Sequence, residues 1–248
     1  MAMADDQHSA SAGASDGLYD SYVAYKKWDV PAAPTEDISL LFANARLEVS
    51  PATRVLEIGF GQGGILDWLK LKGAETHGVE IIDALMEEAR ARGHSVHRGP
   101  LNDALLAGGP RFTLFIAFDL LEHLAPSEIE ATLRTCAGLA EQGAHFLARF
   151  PNGESPFYGG QQHGDLTHRV SLTEAAILQL AARTGWRQAR PVSTRTYPKG
   201  FVRRLKRWTA FRLRDLIETA AGFAYYGRRV DFSPEKVVLL VREPAAAA

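Results

Sequence analysis

The chain has 248 residues and one cysteine, Cys136, which excludes an intrachain disulfide and fits a reducing compartment. Cys136 falls in the stretch Ile129 to Cys136, which reads as helix, and is expected to be a buried structural thiol rather than a nucleophile. No run approaches the ~18 consecutive apolar residues of a membrane-spanning helix, so none is expected. The N-terminus has neither a basic n-region nor an apolar h-region, which argues against a secretory leader and for a cytoplasmic location. Charge of one sign is also missing. Against 28 basic residues stand 29 acidic ones, a net charge of −1, which removes any global electrostatic reason to bind nucleic acid. Residues 1–16, His8 among them, have scarcely any bulky apolar side chains and read as a disordered tail, because they cannot bury enough surface to offset the entropy of ordering.

Ordered character is expected from Leu18. Tyr19, Tyr22, Tyr25 and Trp28 recur every third residue, the stripe of a short helix that either packs on the domain or serves as a lid. Residues 17–48 form an N-terminal helical cap on this reading, broken at Pro31 and Pro34 and resumed from Asp37 to Leu47. Beyond it, short apolar runs alternate with helical periodicities. Strands are expected at 54–58, 76–81, 95–98, 112–118, 144–150, 186–194 and 236–241. Helices are expected up to about Leu71, over 83–92, from Pro126 to about Ala140, and from Ser171 or Thr173 to near Gly185. The run Phe112 to Phe118 is apolar throughout, the pattern of a strand covered on both faces. This alternation predicts an α/β fold, a Rossmann-like doubly wound sheet in one domain over 17–248, with a helical insertion at about 197–230. Ligands of such sheets bind beyond the carboxyl ends of the strands. Glu57, Glu80, the turn from Gly99 to Asp103, the stretch Asp119 to His123 and the stretch Arg149 to His168 are therefore expected along one rim.

The most informative stretch is Val55-Leu56-Glu57-Ile58-Gly59-Phe60-Gly61-Gln62-Gly63-Gly64. Gly59-x-Gly61-x-x-Gly64 satisfies the dinucleotide fingerprint, and Glu80 follows at a distance suited to a ribose. Two features favour S-adenosylmethionine over NAD. Glu57 would oppose a pyrophosphate, which is held by backbone N–H groups and a helix dipole. The α-ammonium and sulfonium of S-adenosylmethionine instead complement an acid. In addition, no later segment looks like the substrate domain of a hydride-transfer enzyme. Glu80 serves either cofactor by accepting hydrogen bonds from the ribose hydroxyls.

Together with Glu80 and Phe118-Asp119-Leu120-Leu121-Glu122-His123-Leu124, this stretch resembles the class I S-adenosylmethionine-dependent methyltransferases, over about residues 50–190. The resemblance implies a seven-stranded sheet with the last strand antiparallel. It implies cofactor contacts from Glu57, Gly59, Phe60, Gly61, Gly63, Glu80 and Ile81. Leu101 and Asn102 would bracket the adenine, and Phe118 and Asp119 would lie near the methionine end. The segments from Arg149 to Phe157 and from Gly164 to His168 are similar to a subgroup found in glycan and secondary-metabolite pathways.

Methyl transfer from a sulfonium asks the protein mainly to align donor and acceptor, and a hydroxyl acceptor adds the need for a base. His123 is the first candidate, since it follows the fourth strand beside the expected methyl group. His168, oriented by Asp165, is the second, and His163 is a third. No metal is assigned. The alternative reading of the same rim is a Mg²⁺-type site made by Asp119, Glu122, His123 and His168, Asp119 and its two neighbours being presented by helical spacing. His77, His94, His97 and His145 are expected to be structural.

The insertion holds Lys199, Arg203, Arg204, Lys206, Arg207, Arg212 and Arg214, interleaved with Phe201, Val202, Leu205, Trp208, Phe211 and Leu213. It reads as a helix face packed on the domain or a dimer mate, or as a contact for an anionic acceptor or a membrane surface through 199–226. The function expected is O-methylation of a sugar or other small polar metabolite, phosphate- or lipid-linked in one version, with S-adenosylhomocysteine as product. The alternatives are N-methylation, quinone or phenol O-methylation, and a non-catalytic interaction protein of the same fold.

Overall fold

The computed structural model describes residues 35–102, 108–228 and 230–244. The expected tail, the aromatic stripe from Tyr19 to Trp28 and Asp103 lie outside the described residues. Helix α1 (Thr35–Ala45) turns Ile38, Leu41, Phe42 and Ala45 inward, and Phe42 meets Trp68 at 4.7 Å between ring centroids. Then follow β1 (Arg54–Ile58), α2 (Gly64–Leu71), β2 (Glu75–Glu80), α3 (Asp83–Ala91), β3 (Ser95–Arg98) and β4 (Phe112–Phe118). A 3-10 turn, Leu121–His123, leads to α4 (Pro126–Leu139) and β5 (Ala140–Pro151). After β5 come the short α5 (Gly159–His163), α6 (Glu174–Ala182) and β6 (Trp186–Pro191). The long α7 (Phe201–Ala221) runs into a π turn, Gly222–Tyr226, before the chain closes on β7 (Glu235–Arg242).

The seven strands form one sheet in the order β3-β2-β1-β4-β5-β7-β6. The pairs from β3 across to β5 are parallel, and β7 runs antiparallel to both β5 and β6. Chain order reverses between β1 and β4, and that crevice is the switch point where ligands bind such sheets. Strand pleating sends alternate residues to opposite faces. Leu56, Phe115, Phe146 and Leu240 fill the larger core on one face, and Val55, Leu114, Leu147 and Leu239 fill the core on the other. Trp186 is central to the larger core. Its indole meets Phe115 and Phe146 edge-on at 5.8 Å each and donates Nε1–H to Leu133 O at 2.9 Å, so its polar edge is buried at no cost. Cys136 is buried in the same core, which pushes its thiol pKa up and makes it inert, as its helical setting leads one to expect.

Two strand boundaries differ from expectation by more than one residue. β5 begins at Ala140 and not at 144, because α4 passes into the strand with no loop between them. Ala140 pairs with Phe112, the register shifts before Leu114, and Gly143 takes up the change at φ 76°. The sixth strand stops at Pro191 and not at 194, where a residue without an N–H ends the ladder. Helix starts follow the sequence more closely. Thr173 caps α6 by accepting from Ala176 N at 3.1 Å, and Pro126 opens α4, with the Glu128 carboxylate accepting from Ala125 N at 2.6 Å.

The glycine turn is seated on β2 by one close packing. A methyl group on Gly78 would stand 2.4 Å from Cδ1 of Phe60, so only glycine at 78 lets the Phe60 ring lie over the strand. Phe60 is there buried with Leu66, Leu85, Met86 and Ala89. Gly78→Ala is expected to lower stability by about 1–3 kcal/mol, the usual cost of overpacking, measured by urea denaturation.

Candidate active site

The turn between β1 and α2 requires left-handed backbone at Gly59, Gly61 and Gly63, with φ of 68°, 54° and 71°. Gly59 N–H donates to Val79 O at 2.8 Å, and Gly61 N–H donates to Glu80 Oε2 at 3.0 Å. A side chain at 59 would strike Leu120, whereas the space beside Gly61 is open. The buried Glu80 carboxylate also accepts from Ile81 N at 2.7 Å and Ile82 N at 3.3 Å, so it bridges the turns after β1 and β2. The Ile81 side chain is exposed beside it.

Glu57 lies in β1 and is buried, and one of its carboxylate oxygens accepts from Leu66 N–H in the first turn of α2. Its Oε2 is buried without a hydrogen-bond partner among the described residues. Burial first, then the charge of Glu80, holds the Glu57 carboxyl well above the usual carboxylate range, with Arg149 pulling the other way. An unmet acceptor next to a left-handed glycine turn fits a cationic ligand group. A Cβ on Gly61 would meet nothing, so the cradle is also open where such a ligand must enter.

At the end of β4, Phe118 pairs in register with Arg149 of β5. The Arg149 guanidinium lies 4.9 Å from the Phe118 ring centroid and grips Asp119 with two hydrogen bonds, Nε to Oδ1 at 3.1 Å and Nη2 to Oδ2. Burial works against the Arg149 charge, and Asp119 more than offsets it, so its pKa is raised. Asp119 itself sits at φ 51°, a conformation Asp tolerates better than most side chains.

That geometry corrects the metal alternative at one position. Asp119 precedes the 3-10 turn in left-handed backbone and faces β5, where Arg149 occupies its carboxylate, so helical spacing does not carry it toward Glu122. Glu122, His123 and His168 do converge, with one ligand atom from each lying within 4.8 Å of the others. The chain after β5 folds back to make this possible, since Arg169 N and Val170 N donate to Glu122 O at 2.8 and 3.2 Å. The His123 and His168 rings meet edge-on at 4.6 Å.

Asp165 reaches both candidate histidines. His168 is oriented by Gln162, whose carbonyl lies 3.0 Å from Nδ1, and Asp165 Oδ2 stays 3.9 Å from His168 Nε2. Asp165 Oδ1 instead accepts from Thr167 Oγ1 at 2.5 Å and from Thr167 N at 3.0 Å. Thr167 Oγ1 lies 2.9 Å from His123 Nδ1. The hydroxyl has one hydrogen and gives it to Asp165, so in its neutral form His123 donates Nδ1–H to Thr167 and carries its lone pair on the buried Nε2. The chain Asp165–Thr167–His123 thus selects the tautomer of the ring. His163 is exposed at the end of α5, near Tyr158 at 6.1 Å and outside this cluster.

Leu101 packs on the larger core and Asn102 is exposed, its side chain donating to Pro100 O at 3.2 Å. His77, His94, His97 and His145 lie apart from this cluster, and His8 lies outside the described residues. His94 is buried between Thr76 Oγ1 and Asp67, each at 2.8 Å, and His77 stacks on His97 at 6.0 Å. His145 lies in β5, where burial lowers its pKa. A depression of about 300 Å³ lined by Glu48, Thr113, Gln142 and His145 lies at the opposite edge of the sheet, by the amino ends of the strands, and includes none of the motif residues. Sequence reasoning missed Arg149 as a partner of Asp119, and it missed Thr167 altogether. Thr167 had a signal, since a residue two places after an Asp is where an Asx turn closes.

The chain matches the family described as "Methyltransferase domain" over residues 29–225. A SAM-dependent methyltransferase from Archaeoglobus fulgidus shares the fold with a TM-score of 0.59 at 16% identity, covering 85% of this chain and 95% of that one. An S-adenosylmethionine-dependent methyltransferase from Clostridium acetobutylicum does so at TM-score 0.55 and 10% identity, covering 93% and 100%. The magnesium protoporphyrin IX methyltransferase of Synechocystis, with bound SAH, gives 0.51 and 19%, covering 84% and 82%. At such identities the likeness is one of fold, and no curated protein matches the chain. The family match spans most of the sequence, and the sheet has the expected order around a left-handed glycine turn, so the chain belongs to the methyltransferase-domain family and is an S-adenosylmethionine-dependent methyltransferase.

Proposed function

We propose that the enzyme methylates a hydroxyl of a sugar or other small polar acceptor, in free, phosphate-linked or lipid-linked form, with His123 as general base. The observation that carries this reading is the hydrogen-bond chain Asp165–Thr167–His123, which leaves the lone pair on His123 Nε2. S-adenosylmethionine brings the activated methyl group, and the work left to the protein is alignment and removal of the acceptor proton. Glu57 and the turn at Gly59 and Gly61 would hold the methionine part, Glu80 the ribose, and Leu101 and Asn102 the adenine. Phe118 and Asp119, fixed by Arg149, would border the methyl group. His123 would take the acceptor proton while Asp165, through Thr167, stabilises the imidazolium that forms. The likeness of the segments 149–157 and 164–168 to enzymes of glycan and secondary-metabolite pathways supports the acceptor class.

A second reading is favoured by one observation, the convergence of Glu122, His123 and His168. One carboxylate and two imidazoles suit a divalent ion, which would hold the acceptor hydroxyl and lower its pKa. Chelation separates the two readings. With His123 as base, activity survives dialysis against EDTA, and isothermal titration detects no Mg²⁺ or Mn²⁺ binding. With a metal, both results reverse, and E122Q, H123A and H168A all lose ion binding.

For the first reading, His123→Ala is expected to lower kcat by ~10²–10⁴. It should also abolish the limb of the pH–rate profile that rises with pH. Thr167→Val should move that limb, while His163→Ala leaves it in place. An unchanged profile in the His123 variant would rule out the base.

The raised Glu57 carboxyl makes a pH prediction. A folded-state pKa above the unfolded value adds stability at low pH that is lost as pH rises from the ordinary 4.5 through the raised value. A cationic ligand group beside Glu57 lowers that pKa again. Binding of S-adenosylmethionine should therefore release a proton within this window, seen by calorimetry in buffers of different ionisation enthalpy. Ligand-free Glu57→Gln should melt higher than wild type above the window. It should bind the cofactor about ten- to a hundredfold more weakly, the equivalent of a charge-assisted hydrogen bond of ~1.5–3 kcal/mol.

A further inference from the structure

We propose that α7 and the π turn after it form an interfacial helix that docks on an anionic lipid surface. The helix has 21 residues, and of these only Phe211 and Glu218 are buried. Glu218 is the anchor. Its Oε1 accepts from Phe232 N at 2.9 Å and lies 3.2 Å from Arg214 Nε, and its Oε2 is 3.5 Å from Arg195. A stripe of large apolar side chains lies roughly a third of a turn around the helix from that anchor. Phe201, Leu205, Trp208 and Leu216 form it, with Arg212 lying among them 5.3 Å from the Trp208 ring; the exposed Val202, Leu213 and Ile217 widen the apolar surface on its far side, and Phe223 extends it into the π turn. Phe201 is 80% exposed, Trp208 46% and Phe223 89%, whereas an apolar side chain in water gains nothing from helical order.

The charge along the stripe says what covers it. Arg203, Arg204, Lys206, Arg207 and Arg212 are exposed, and none forms an ion pair among the described residues. The two acids of the helix, Asp215 and Glu218, are both engaged by Arg195. No acid stands between Phe201 and Arg214. A two-fold mate would bring this same cationic face onto itself without a counter-charge. A nucleic acid would neutralise the cations but leave the stripe in water. A bilayer with anionic headgroups satisfies both: the stripe enters the acyl boundary and the Lys and Arg heads remain among the phosphates. None of the described helices is long and apolar enough to cross a membrane, so the helix lies in the interface plane.

The placement also connects to the rim. The insertion leaves the sheet after Pro191 and returns at Glu235, which pairs with Pro151 where the active-site loop begins. Asn152, fully buried, donates to Asp231 O at 3.0 Å and Ser233 O at 2.9 Å, and the exposed Phe157 meets Phe232 at 5.9 Å. The loop after β5 is thus tied to the helix through Phe232 and Glu218, which suits the lipid-linked acceptor among those named above, but the docking proposal does not rest on methyl transfer.

The test uses the full chain and sedimentation with vesicles of phosphatidylcholine, with and without phosphatidylglycerol. The expected result is binding to the anionic vesicles, weakened by salt, with a blue shift of tryptophan emission that Trp208→Phe removes. Replacing Arg203, Arg204, Lys206 and Arg207 by Gln should lower the partition coefficient at least a hundredfold. F201S with L205S should lower it while all charges remain. Circular dichroism and cofactor binding of each variant, unchanged, show that the fold is kept. Absence of binding overturns the proposal, as does equal binding to neutral vesicles or a stronger preference for a DNA duplex. So does a dimer in light scattering that F201S with L205S dissolves, since a second copy would then cover the stripe.

Discussion

One buried carboxylate ties two turns of this molecule together. Glu80 accepts from Gly61 on one side and from Ile81 and Ile82 on the other, so the loops that leave β1 and β2 are held at a fixed separation. The left-handed glycines make this possible, because no ordinary residue points its N–H at that carboxylate without strain. Phe60 completes the arrangement by packing over Gly78, which couples the turn to the core beneath it. The crevice at the switch point is thus held by the protein's own hydrogen bonds and packing, which is what preorganised binding requires.

The rim is rich in acids, and the structure manages them by three different means. Asp119 is neutralised by a two-point grip from Arg149. Asp165 accepts a hydroxyl and an N–H of Thr167, both through Oδ1. Among the described residues Glu57 has neither a cation in contact nor a full set of donors, and burial raises its pKa. Asp119 is settled by the protein's own cation, and Glu57, beside the glycine turn, is where a ligand cation has most to offer electrostatically.

Much of this was legible in the sequence. The order of strands and helices followed from periodicity, and the cofactor turn from the glycines and the acid before them. These features are local, since left-handed turns and buried strands are written in adjacent residues. The boundaries of β5 and β6 were less legible, because a helix that enters a strand without a loop leaves no turn residues to mark it. The partners of the rim residues were not legible at all. Asp165 and His168 are three apart, yet the carboxylate serves His123, 42 positions upstream of Asp165, through Thr167. Asp119 and Glu122 are also three apart, yet a backbone at φ 51° turns them to different neighbours.

By itself the sequence determined the doubly wound sheet and the preference for a cationic cofactor over a pyrophosphate, because each rests on residue type and short-range spacing. Only the tertiary structure decided which acid orients which histidine, that Arg149 claims Asp119, and that the basic insertion is a nearly free-standing helix with an uncovered apolar stripe. These depend on which residues distant in the chain are brought within hydrogen-bond reach, and on which faces the packed core leaves in water.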